Sequence, residues 1–88
     1  MDKTYTVYQT ISLLNGIKVE MIMPSGWDYV RAIHNHRAQS EYSIELFMMT
    51  EFCRVDGKKQ PVSFYGDLMC DDFMRIFEVL ASMITPNK

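Results

Sequence analysis

The sequence predicts an α+β domain, an N-terminal β-hairpin followed by about three helices. Three observations predict it. Apolar residues alternate across residues 4–23 around an Asn-Gly pair, the stretch after Pro24 opens like a helix N-terminus, and residues 73–84 repeat apolar side chains at helical spacing.

In the first segment Tyr5, Val7, Ile11 and Leu13 share one parity, and Thr4, Thr6, Thr10 and Ser12 share the other. Side chains of a strand point alternately to opposite faces, so this pattern reads as a half-buried strand. Asn15-Gly16 follows, a pair that favours the positive φ angles of a tight hairpin turn. Ile17, Val19, Met21 and Met23 then alternate with Lys18, Glu20 and Ile22 until Pro24, which has no amide to continue a ladder.

Ser25 with Asp28 three residues later resembles a capping box, in which each side chain satisfies a free amide of the first helical turn. Trp27, Val30 and Ile33, with Ala32 beside them, form the apolar stripe of a helix running to about residue 37, and Tyr29 lies off that stripe. Ser40 is placed to cap a second helix, with Glu41 near its positive end. That helix, about residues 41–54, carries Ile44, Leu46, Phe47, Met48, Met49, Phe52 and Cys53 on more than one face. A helix apolar nearly all round is either central to a core or covered by a partner. Asp56-Gly57 is a turn, and Val62 and Phe64 admit a short third strand near 61–65. Asp71 and Asp72 sit where a helix start favours negative charge, and Phe73, Ile76, Phe77, Leu80 and Ile84 follow at i, i+3, i+4, i+7 and i+11. Thr85 to Lys88 form a short frayed tail.

The 88 residues predict one domain, 1–88, with an ordered core of about 4–84. A hydrophobic content of 48% supplies a thin core, and four Gly and three Pro are too few for a low-complexity chain. Nine Lys and Arg are scattered among eleven acids, for a net charge of −2, which argues against a nucleic-acid footprint. Cys53 and Cys70 have no metal-type spacing, no signal-like apolar segment opens the chain, and no run approaches the ~20 apolar residues of a membrane span. Together these predict a cytoplasmic protein with two reduced thiols and no membrane association.

No catalytic or cofactor motif is present, and no cofactor or metal is expected. His34 and His36 are two residues apart, about 200° round a helix, and cannot chelate one ion from one face. Asp71 and Asp72 are explained by helix capping, and Cys53, between Phe52 and Arg54, lacks an adjacent base. The expectation is therefore a protein without enzymatic activity. Eight methionines are many for this length, and methionine suits adaptable binding surfaces as well as irregular cores. The run Leu46-Phe47-Met48-Met49, with Phe52, spans the helix circumference and is the expected partner-binding surface, for another protein or a second copy.

The order of features resembles a known family. A hairpin turning at Asn15-Gly16, the junction Met23-Pro24-Ser25-Gly26-Trp27-Asp28, an apolar helix, the turn Val55-Asp56-Gly57 and the opening Leu68-Met69-Cys70-Asp71-Asp72-Phe73 look like the small tail assembly chaperones of contractile-tailed, Mu-like phages and prophages. The resemblance covers about residues 9–84 and lies in element order and short junctions. Methionine richness and the His34-Asn35-His36 segment depart from the family pattern. The resemblance implies a non-enzymatic role in virion assembly inside a bacterial host cell, binding the long helical tape measure protein and keeping its apolar surface from aggregating. Two other classes remain open on the residues alone. One is a small nucleic-acid-associated regulator using Arg31, His34, Arg37, Lys58 and Lys59; the other is a small-molecule-binding domain with Trp27, Tyr29 and Phe64 lining a pocket.

Overall fold

The computed structural model describes residues 5–84 and shows an α+β fold, a three-stranded antiparallel sheet with four helices. Thr4 and the expected tail at 85–88 lie outside the described residues. The hairpin strands are β1 (Val7–Ser12) and β2 (Lys18–Ile22), with Ile11 opposite Val19 and Ser12 opposite Lys18. The loop between them has one residue at positive φ, Gly16 at 89°, and it is closed by Gly16 N donating to Leu13 O (2.9 Å) and Leu13 N donating to Ile17 O (2.8 Å). That is the three-residue hairpin loop in which only the last residue turns left-handed. Asn15 contributes differently, its Oδ1 accepting from Ile17 N at 3.1 Å. A register shift between Val7 and Gln9 coincides with a change in the face buried on the partner strand: Met21 and Ile22 are both buried, while Met23, expected inward, is exposed.

The third strand is not at 61–65. It is β3 (Cys53–Arg54), which follows the second helix without a loop and pairs with β2 through Met21↔Cys53 and Glu20↔Arg54. Residues 62–66 are helical instead, because Pro61, having no amide to leave unsatisfied, is favourable at a helix start and the edge of β2 is already taken. The turn after β3 puts both Asp56 (φ 55°) and Gly57 (φ 78°) at positive φ, with Val55 and Lys58 exchanging backbone hydrogen bonds of 2.9 and 3.1 Å.

The helices are α1 (Gly26–Ala38), α2 (Ile44–Phe52), α3 (Val62–Gly66) and α4 (Cys70–Ile84). The capping box opens α1 as expected: Asp28 N donates to Ser25 Oγ at 3.3 Å and Ser25 N to Asp28 Oδ2 at 2.8 Å. The cap of α2 is Ser43 rather than Ser40, since Tyr42 N first bonds back to Gln39 O (3.2 Å) and spends residues 39–43 on a turn. Along α4, Ile76 and Leu80 are fully buried and Phe73 and Phe77 pack beside them, whereas Ile84 emerges into solvent. Asp72 in its first turn is buried, accepts from the Leu14 amide at 3.2 Å, and pairs with Arg75, so the hairpin tip is tied to the start of α4.

One core joins these parts. Ile11, Leu13, Val19 and Met21 of the hairpin side meet Phe47, Met49 and Phe52 of α2, Tyr65 of α3, and Ile76 and Leu80 of α4. Central among them, α2 packs against α1, α3, α4 and β3. At its C-terminus Arg54 Nη1 donates to Glu51 O and Cys53 O, both at 2.8 Å, and so fills carbonyls the helix leaves open.

Candidate functional site

Phe47, Met48, Met49 and Phe52 are 3%, 7%, 0% and 1% exposed. They are core side chains, covered from within by the chain's own elements, and they do not form an open surface. The all-round apolarity of α2 is thus accounted for by its central place. Leu46 alone of that set is half-buried. With Tyr42, Pro61 and Val62 it lines a depression of about 720 Å³ between the end of α1, α2 and α3.

Exposed apolar side chains also gather on α1, besides others such as Leu14 and Met69 elsewhere on the molecule. Trp27 is 73% exposed, Val30 51% and Tyr29 46%, and Ile33 is half-buried beside them. Tyr29, Val30, Ile33, His34 and Arg37 line a shallow depression of about 330 Å³. Of the expected stripe, Trp27 and Val30 face outward, Ile33 is half-buried and only Ala32 faces inward. The buried line of this helix is Asp28 and Ala32, followed by half-buried Asn35 and His36, with the His36 ring 6.0 Å from that of Phe47.

Electrostatics explains the inversion. Glu51 is buried on α2, and a buried carboxylate needs cationic partners. Arg31 supplies one from α1, its Nε donating to Glu51 Oε1 at 3.0 Å, and Lys59 supplies another at 2.8 Å. Arg31 also pairs with Asp28, and its hydrogen bond to Glu51 leads the influences that raise its pKa. Ala32, one residue on, is small enough to let the two helices approach. Turning Trp27 and Val30 inward would take Arg31 and Asp28 away from Glu51 and its surroundings. The signal available in the sequence was the second line at helical spacing, Asp28-Ala32-His36, which a purely apolar reading passes over.

A third depression, about 720 Å³, is polar and is lined by Tyr5, Thr6, Ser25, Asp28, Arg31 and Arg54 among others. Its cations are engaged within the chain: Arg31 by the carboxylates of Asp28 and Glu51, and Arg54 by the backbone carbonyls of Glu51 and Cys53, with its guanidinium 5.4 Å above the Tyr5 ring. His34 and His36 lie on different sides of α1, and no group of three His, Cys, Asp or Glu side chains converges among the described residues. Burial pushes the Cys53 thiol up to about 12, which leaves it protonated and inert at neutral pH; Cys70 is exposed. Burial also raises the Tyr65 hydroxyl, which has no nitrogen or oxygen partner and lies by the Cys53 thiol. Trp27 and Tyr29 are on the outside of α1 while Phe64 packs on Tyr65 at α3, and none of these three depressions is lined by two of them. Among the described residues no helix is long and apolar enough to cross a membrane. The chain matches no protein-family model, no curated protein and no solved structure.

Proposed function

We propose that this chain is a non-enzymatic protein-binding domain that docks another protein on the outer face of α1. In the setting its element order resembles, it is a tail assembly chaperone that covers apolar surface of the tape measure protein. The observation that carries the reading is the exposure of Trp27 and Val30 along one stripe of a well-capped helix, with Tyr29 exposed to one side of it. Scattered exposed apolar residues are ordinary, but Trp27 and Val30 lie one turn apart on the same stripe, and exposed aromatic side chains grouped in this way favour an interaction surface. The helix is anchored by the Ser25–Asp28 capping box at its start and the Arg31–Glu51 bond to α2, which favours a face formed before binding. The junction that opens this helix, Met23-Pro24-Ser25-Gly26-Trp27-Asp28, is also one of the features in which the sequence resembles the family. A nucleic-acid role is less well supported, because Arg31 and Lys59 are engaged by Glu51.

The test is affinity capture from native-host lysate with the wild-type chain and with Trp27→Glu, each shown folded by circular dichroism. Recovery of a long, helical phage structural protein by the wild type and its loss in the variant are expected. Equal recovery by both would remove α1 from the reading, and recovery of nucleic acid alone would remove the reading itself.

A further inference from the structure

We infer that the occupant of the α1 face is an acidic amphipathic helix, with apolar side chains against Trp27, Val30 and Ile33 and carboxylates against His34 and Arg37. This rests on the protein-binding reading and specifies the chemistry of the partner. Charge complementarity carries it. The only acid of α1, Asp28, is buried and committed to Ser25 and Arg31, so the outward side of the helix carries no negative side chain of its own. What stands beside the exposed apolar residues is cationic or basic, Arg37 and His34, in the same shallow depression as Tyr29, Val30 and Ile33. This is the reverse of the chain as a whole, whose net charge is −2.

A ligand helix laid along α1 buries apolar side chains at the N-terminal and middle turns and meets positive charge near the C-terminal end. Carboxylates there gain from Arg37 at close quarters, and lysines are repelled. The length of the face sets the length of the ligand. Thirteen residues of α1 span ~20 Å, or about four turns, so four to five turns of partner cover it. A second copy docking α1 on α1 in parallel would bring two Arg37 side chains together, which disfavours that arrangement.

Trp27 is the sole tryptophan, so its emission reports the site directly. The probe is a synthetic helix of about five turns with leucines at i, i+3, i+4, i+7 and glutamates flanking the stripe; the control replaces each glutamate by lysine. We expect a saturable blue shift with the glutamate peptide and roughly tenfold weaker binding of the lysine peptide at low salt, the gap narrowing as salt rises. In the double variant His34→Glu, Arg37→Glu, checked for fold by circular dichroism, the preference reverses. Equal binding of both peptides would overturn the acidic partner while leaving an apolar protein-binding face. A blue shift that follows protein concentration without peptide would overturn it in favour of a second copy. A shift with phosphatidylserine–phosphatidylcholine vesicles and with neither peptide would overturn both this inference and the protein-binding reading beneath it.

Discussion

Helices α1 and α2 lie against each other and use their apolar residues in opposite ways. In α2 they are almost all inside, in a helix that also buries the carboxylate of Glu51. In α1 the large ones are almost all outside, and the side that packs inward carries Asp28, Ala32 and half-buried Asn35 and His36. The two facts have one cause. A core helix surrounded on every side has no face left for a partner, and its single buried acid must be answered by whatever packs on it. Arg31 answers it together with Lys59, and the orientation of α1 that brings Arg31 there leaves Trp27 and Val30 in solvent. Hydrophobicity alone would put the stripe of α1 inside and leave α2 for a partner; the buried Glu51 carboxylate, met by half-exposed Arg31 and Lys59, goes with the opposite arrangement.

The largest expected effect lies in α2. Phe52→Ala removes a fully buried ring from the centre of the core and should cost about 3–5 kcal/mol, read from the midpoint of denaturant unfolding. A loss under about 1 kcal/mol would mean that α2 is not central, and the comparison would collapse. Next is Asp28→Ala in α1, which removes half of the capping box and one partner of Arg31. A loss of about 1–3 kcal/mol is expected in the same measurement, and a neutral result would separate the orientation of α1 from its polar line.

A smaller effect is expected with pH at the junction of α2 and β3. The Cys53 thiol is raised from its ordinary value near 9 to about 12 in the folded chain, so between those values the unfolded chain has lost a proton that the folded chain keeps. Stability is therefore full below pH 9 and falls as pH rises toward 12, by at most about 1.4 kcal/mol per pH unit from this group. Cys53→Ala, compared with wild type by unfolding at pH 8 and pH 10.5, should flatten part of that slope; an unchanged slope would place its origin elsewhere. The smallest effect is expected for Trp27→Ala, within about 0.5 kcal/mol of wild type in thermal unfolding, because its side chain lies mostly in solvent. A loss comparable to that of Phe52→Ala would show that Trp27 supports the fold, and the contrast between the helices would fail.

Much of the fold was legible locally. Period-two alternation and Asn15-Gly16 specify a hairpin because both act within a few residues, and Ser25 with Asp28 specifies a helix start because the two side chains and the two amides they satisfy lie within four residues. The repeat from Phe73 to Leu80 identifies the inward side of α4 for the same reason, the sheet and α2 both lying on that side. Which apolar side chains stay outside was not legible in this way. Leu46, Phe47, Met48, Met49 and Phe52 are apolar enough for either role, and only their covering by α1, α3, α4 and β3 places four of them in the core.

The sequence by itself determined the elements whose signals are short in range: the hairpin, the capped start of α1, the turn at Asp56-Gly57 and the amphipathic α4. Tertiary structure decided three things: that Cys53–Arg54 and not residues 61–65 completes the sheet, that α2 lies at the centre, and that α1 turns its apolar side outward. Each depends on a partner distant in sequence: Met21 for Cys53, Glu51 for Arg31, Phe47 for His36. A strand edge can be taken by only one neighbour, and a buried carboxylate must meet a cation. Which residues satisfy those demands is settled when the chain closes on itself, not along its length.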